Sequence, residues 1–202
     1  MKILLNALLL LSLMISYASA AGDKWELKID RDGIRVYTRE REGSGIYMYK
    51  AVTAIRMQPE QVYEQVVDFR ENKKYLDLVD SLGFLDHRKN ERYINYMRLD
   101  MPWPVKNREM VMDMKVQLSK DSIRLISDDL PGHIQNSGNV IQIEDFHEEW
   151  EIKAFGNSGE TQITVTGWVN PGGSIPDWVV NMFSARTPFH FISGILKELA
   201  KE

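Results

Sequence analysis

The stretch "MPWPVKNREMVMDMKVQL" (residues 101–118) sets a tryptophan between two prolines, then Asn107, Arg108 and Glu109, then methionine at every second position. Such alternation reads as a β-strand, because successive side chains of an extended chain point to opposite faces. One face carries Met110, Met112, Met114, Val116 and Leu118, and the other Val111, Asp113, Lys115 and Gln117. One buried and one wet face are therefore expected, as in an antiparallel sheet over a core. Buried sheet faces are ordinarily built from stiff Val and Ile. Methionine is unbranched and repacks cheaply, so a stripe of it suits a wall that fits irregular or variable contents. Met48, Met97, Met101 and Met182 extend the same chemistry. Two readings of the stripe stand: a solid Met-rich core, or the wall of an apolar cavity.

Upstream, "WELKIDRDGIRVYTRE" (25–40) reads as two strands around an Asp32-Gly33 hairpin turn, and "GIYMYKAVTAI" (45–55) as a third strand rich in β-branched and aromatic residues. The period then changes. Pro59 sits where a first helical turn tolerates it, and Val62, Val66 and Phe69 recur at helical spacing, which predicts a helix over 59–68 and a shorter one over 71–78. Strand signals return in "RYINYMRLDM" (92–101), "DSIRLISD" (121–128), "NVIQIEDFHEEWEIKAF" (139–155) and "TQITVTGWV" (161–169). After "NPGGS" (170–174) Ser174 is a natural N-cap, and Val179, Phe183, Phe191, Ile195 and Leu199 form an apolar stripe that Pro188 should kink or split. Strands in runs with segregated helices define an α+β fold, an antiparallel sheet against a final helix.

Several function classes are excluded or disfavoured. The chain has no cysteine, so thiol catalysis, thiolate metal sites and disulfides are ruled out. A formal net charge of −4 argues against nucleic acid as a partner. No nucleophile elbow, P-loop, HExxH or dinucleotide fingerprint is present, and no cofactor or metal is expected. Asp145, His147 and Glu149 alternate onto one strand face, a pattern open to metal or proton chemistry but more ordinary as a solvated face. Residues 1–20 combine Lys2, an apolar run and a small-x-small ending at Ala18 and Ala20, the pattern of a secretory signal cleaved after Ala20. The run falls short of the roughly 18–20 residues that span a bilayer. The expectation is one exported domain over 21–202, monomeric, in the periplasm or outside the cell.

"PWPVKNREMV" (102–111) resembles the P-x-x-N-R-D-x-V segment of START domains, the lipid-transfer domains related to steroidogenic acute regulatory protein. "HEEWEI" (147–152) and "TQITVTGWVNPGGSIPDWVVNMF" (161–183) resemble the family's penultimate strands, its D-P-x-G-x-[IL]-P-x-W-[LV]-V-N turn and its last helix. The matches are Pro104, Asn107, Arg108, Val111, Trp150, Pro171, Gly173, Pro176, Trp178, Val180 and Asn181; Glu109 and Asn170 stand where the family has aspartate. The resemblance implies a helix-grip fold: a curved antiparallel sheet wrapped around a long C-terminal helix, with two short helices after the first strands. It also implies a soluble lipid carrier whose ligand is a sterol, fatty acid or phospholipid and whose membrane contact is transient. Trp103, between two prolines, is expected to pack a corner, or, if its ring is exposed, to enter a bilayer interface. The expected cavity lining is Met97, Met110, Met112, Met114, Val165, Met182, Phe183, His190, Phe191 and Ile195. Arg108 and Asn181 are expected as polar cavity or structural residues, and "DDLPGHIQNSGN" (128–139), with Pro131 and Gly132, as a gate. Helix-grip relatives include polyketide cyclases and aromatases, so an enzyme acting on a hydrophobic substrate is the alternative.

Overall fold

The structure, a computed structural model, describes residues 24–133, 139–156, 159–173, 175 and 182–201. Among these, ten strands form one sheet: β1 (Glu26–Arg31), β2 (Ile34–Glu40), β3 (Tyr47–Ile55), β4 (Val79–Arg88), β5 (Arg92–Leu99), β6 (Arg108–Leu118), β7 (Ser122–Asp129), β8 (Ile141–Gln142), β9 (Phe146–Phe155) and β10 (Glu160–Val169). Nine of them lie side by side in the order β1-β2-β3-β10-β9-β7-β6-β5-β4, all antiparallel, and the two-residue β8 pairs with β6 in parallel. The β1–β2 turn places Asp32 and Gly33 both at positive φ, the geometry an Asp-Gly pair favours because it matches strand twist.

Two short helices, α1 (Pro59–Val66) and α2 (Phe69–Asn72), follow β3, and a 3₁₀ turn Lys73–Tyr75 extends α2. Helix α1 opens on Pro59, and Gln61 Oε1 accepts from the Gln58 backbone N–H at 3.1 Å, which satisfies one of the donors a helix start leaves free. The second helix begins at Phe69 rather than at 71, because the Asp68 side chain caps it by accepting from the Glu71 N–H at 3.2 Å. The C-terminal helix α3 (Thr187–Leu199) is preceded by a π-helical turn, Met182–Arg186. Pro188 therefore stands in a first helical turn, where its missing N–H is harmless.

Helix α3 lies on the sheet face together with α1. Its buried residues Phe189, Ile192, Ile195 and Leu199 join Val62 and Val66 of α1 and the inward side chains of β2, β3, β7, β9 and β10 in one core cluster. A second cluster, Leu99, Met101, Met110, Met112 and Ile143, sits at the other end of the sheet. Strand β6 differs from the alternation expected of it. It is buried on both faces as far as Met114, because Arg92 binds Asp113 at 2.7 Å on the outer side and the segment after β7 folds back, with Leu130 N–H donating to Val111 O at 2.8 Å.

Gly194 shows how closely α3 is seated: a Cβ there would collide with the ring of Tyr75, whose hydroxyl donates to Glu198. Helix propensity alone favours Ala over Gly by about 1 kcal/mol. Overpacking against a ring costs roughly 1–3 kcal/mol. Gly194→Ala is therefore expected to lower the denaturation midpoint, the opposite sign to the propensity rule, and a raised midpoint would show that Tyr75 swings away freely.

Candidate functional site

Between the first turns of α3 and the sheet lies a cavity of about 120 Å³. Inward side chains of β5, β6 and β9 form its floor, chiefly Asn95, Met97, Met110, Met112, Met114 and Phe146. Leu76 and Val79 close one side, and Thr187, Pro188 and Phe191 form the roof. The same helix therefore does two things. Its C-terminal half packs solidly with α1, and its N-terminal half spans an apolar gap.

This division sorts the expected lining residues. Met97, Met110, Met112, Met114 and Phe191 do line the cavity. Val165, Ile195 and His190 do not. Val165 and Ile195 are each 1% exposed and belong to the solid core, where α1 fills the space beneath the helix. His190 points outward, its Nδ1 2.7 Å from Asp77 Oδ2, because it occupies the helix face opposite the buried Ile192 and Phe189. Asn181 and the side chains of Met182 and Phe183 lie outside the described residues. Pro131 and Gly132 are exposed and border a separate small recess with Glu109 and His133 instead of the cavity, and the middle of the expected gate, 134–138, lies outside the described residues.

Arg108 lies outside the cavity lining. It is 1% exposed, and its guanidinium donates to Pro171 O at 3.2 Å, Gly172 O at 3.1 Å and Lys106 O. Burial pushes its pKa down, and the three carbonyls supply the acceptors that water would have. The two sequence segments singled out above, around 107–108 and 170–173, are thus held together by one side chain. Gly172 and Gly173 take positive φ in this turn, which strains any larger residue, and a Cβ would press on Ile141 at 3.2 and 3.0 Å.

The cavity also holds polar groups that the sequence reading passed over. A lateral row across the sheet runs Tyr49, Gly167, Glu148, Ser127, Met114, Tyr93, on six neighbouring strands. Gly167 lacks a side chain, so Tyr49 reaches across β10 and donates its hydroxyl to Glu148 Oε2, while Trp150 Nε1–H donates to Glu148 Oε1 at 2.7 Å. Burial raises the Glu148 carboxyl above its ordinary range, and its two hydrogen bonds offset part of that rise. Asn95 and Ser127, 1% and 2% exposed, line the cavity with no hydrogen-bond partner for the Asn95 amide or the Ser127 hydroxyl among the described residues. Alternation was the available signal: Asn95 shares a face with Tyr93 and Met97, and Glu148 with Trp150 and Ile152.

The face carrying Asp145, His147 and Glu149 is occupied by separate partners. Asp145 accepts from Arg41 at 3.0 Å and from Trp168 Nε1 at 2.8 Å, Glu149 accepts from Arg124 Nε at 2.9 Å, and His147 Nδ1 is 2.7 Å from Asp128 Oδ1. Among the described residues no three His, Asp or Glu side chains are grouped to hold a metal ion.

A long helix laid on a curved antiparallel sheet, here with an apolar cavity under one half of the helix, is the helix-grip architecture. More narrowly, the chain belongs to the START domain family, whose sequence pattern matches residues 10–201. It is 28% identical to an uncharacterised Pseudomonas aeruginosa protein over 88% of this chain and 87% of that one. It is 23% identical to the phosphatidylcholine transfer protein of Mus musculus, over 87% of this chain and 84% of that protein. A STAR-related lipid transfer protein from Xanthomonas axonopodis has the same fold, with a TM-score of 0.77 at 23% identity over 88% of this chain and 99% of that one. An aromatase/cyclase from Streptomyces sp. R1128 shares the fold more distantly, with a TM-score of 0.53 at 10% identity over 75% of this chain and 92% of that one.

Proposed function

We propose that this protein is a lipid carrier that holds an apolar ligand in the methionine-lined cavity and exchanges it with membranes. The observation that carries the reading is that cavity itself, walled by Met97, Met110, Met112 and Met114 beneath the N-terminal half of α3 in a START-family chain. Burying each CH₂ is worth about 0.8 kcal/mol, so a tail of roughly 16 carbons gains on the order of 13 kcal/mol by leaving water. A free lipid therefore almost never crosses an aqueous gap, and an enclosing protein removes that barrier without any chemical step. The cavity of about 120 Å³ has room for a ring-sized group, close to the engineered cavity of about 150 Å³ that holds benzene. A whole chain enters as the methionine side chains, each with three freely rotating bonds, swing aside.

Catalysis on a hydrophobic substrate is less well supported. Among the described residues the titratable groups lining the cavity are Tyr49, Asp77 and Glu148; Tyr49 and Glu148 bind each other and Asp77 pairs outward with His190. The chain acts as a monomer after export, with residues 1–20 removed, in the periplasm or outside the cell; its partners are lipid and, transiently, a membrane. Amino-terminal sequencing of the protein from fractionated cells checks the export step.

Solvent extraction of protein purified from its own host, followed by mass spectrometry, tests the whole reading. A stoichiometric lipid supports it, and a protein that carries none and takes none from vesicles overturns it. Trp103 supplies a second prediction. It is 92% exposed on the loop between β5 and β6, beside the cluster that includes Met101 and Met110, and indole rings favour the membrane–water interface. Trp103→Ala is expected to slow lipid transfer between vesicles several-fold while leaving lipid content and melting temperature unchanged. Equal transfer rates would remove this residue from membrane contact.

A further inference from the structure

We infer that the ligand carries uncharged groups that both donate and accept hydrogen bonds, hydroxyls or carboxamides, and that Asn95 and Ser127 read them inside the cavity. The inference rests on the lipid-carrier reading and narrows its ligand class. A carboxamide buried to 1% with neither Oδ1 nor Nδ2 satisfied is costly, since each unmade bond forfeits the hydration given up on folding. Asn95 stands directly across from Met112, between Tyr93 and Met97 on its own strand, where Leu would pack well. The Ser127 hydroxyl, opposite Met114, is in the same condition one strand beyond β6. Two unpaired polar side chains on the floor of one apolar cavity have an account if the missing partner is the ligand.

The charge pattern selects these groups. No Lys or Arg lines the cavity among the described residues, so a phosphate would be buried without a cation. Each Glu148 oxygen already accepts a hydrogen bond, from Tyr49 or Trp150, and burial favours the uncharged carboxyl, so it is a poor partner for a choline or ammonium. Amide and hydroxyl side chains instead suit a neutral group, because Asn offers an acceptor and two donors and Ser one donor with two lone pairs.

The test is displacement of the apolar dye 1-N-phenylnaphthylamine from the delipidated full-length protein by dodecane, 1-dodecanol, dodecanamide and dodecylphosphocholine, the last below its micelle concentration. Dodecanol and dodecanamide should bind at least tenfold more tightly than dodecylphosphocholine. In Asn95→Leu the ratio of dodecanol to dodecane affinity should fall about tenfold, close to 1.4 kcal/mol, with dodecane still bound and the ligand-free melting temperature raised by about 2–4 °C. Ser127→Ala, which removes one oxygen and little volume, should lower the same ratio by a smaller factor. If alkyl ligands bind but the ratio is unchanged in both variants, or dodecylphosphocholine binds most tightly, the inference falls and the carrier reading stands. If nothing displaces the dye and no lipid is taken from vesicles, the carrier reading falls and this inference with it.

Discussion

Met110→Lys is expected to abolish lipid loading and to destabilise the protein by roughly 3–5 kcal/mol, the usual consequence of an unpaired buried charge. Met110 is 7% exposed, faces Met97 across the β5–β6 ladder and packs with Leu99, Met112 and Ile143. None of these offers a carboxylate, and the neighbouring Glu109 lies on the other face of the strand. An ammonium group there must either drag the strand toward water or sit in the cavity and hydrate it, and both outcomes repel a hydrocarbon tail. Met110→Leu is the control: volume-conserving swaps cost less than about 1.5 kcal/mol, so this variant should fold and load lipid. Denaturant midpoints together with the lipid recovered by extraction report both effects. A lysine variant that loads lipid as the parent does would show that the space at Met110 is not where the tail lies.

The architecture was legible where the sequence carried a strong period. The Asp32-Gly33 turn and the Pro59 helix start depend on local rules that tertiary packing did not override, and the Met stripe kept its inward face although packing buried the outer face as well. Strand β4, Val79–Arg88, carries no legible period because it is an edge strand, mostly exposed on both faces and paired with β5 through two register shifts, so no alternation survives in "VDSLGFLDHR". The stretch 139–155 read as one strand but breaks into β8 and β9, with Ile143 turned into the second core cluster. For the site, alternation identified the methionines but could not say how far α1 fills the space beneath α3, which is why Val165 and Ile195 fall in solid core. The polar lining was missed for a different reason. The charged face of "EDFHEEW", Asp145, His147 and Glu149, carries the more conspicuous chemistry, although counting back from the apolar Ile152 and Trp150 places Glu148 on the inner one.

Glu148 gives the second large effect, and its sign depends on the replacement. Removing the carboxyl in Glu148→Ala leaves the Tyr49 hydroxyl and the Trp150 indole N–H without their acceptor. Each orphaned donor costs about 1–3 kcal/mol, so a loss of roughly 2–6 kcal/mol is expected. Glu148→Gln keeps an acceptor and the side chain's volume, and should cost far less. The pair also separates by pH. Because burial raises the folded-state pKa of Glu148 above its unfolded value, the native protein holds this proton more tightly than the unfolded chain. The resulting stabilisation is fully present below the unfolded pKa and is lost as pH rises through the raised folded value. Carboxylates shifted the other way, such as Asp113 beside Arg92 and Glu198, held near about 2 by Lys201, Tyr75 and Lys74, act in the opposite sense and are common to both proteins. The difference in unfolding free energy, parent minus Glu148→Gln, should therefore fall as pH rises from about 4.5, and chemical denaturation across that range measures it. A difference that stays flat or climbs with pH would mean that Glu148 ionises in the folded protein as readily as in the unfolded chain, and that the cavity around it is wetter than its Tyr49 and Trp150 partners imply.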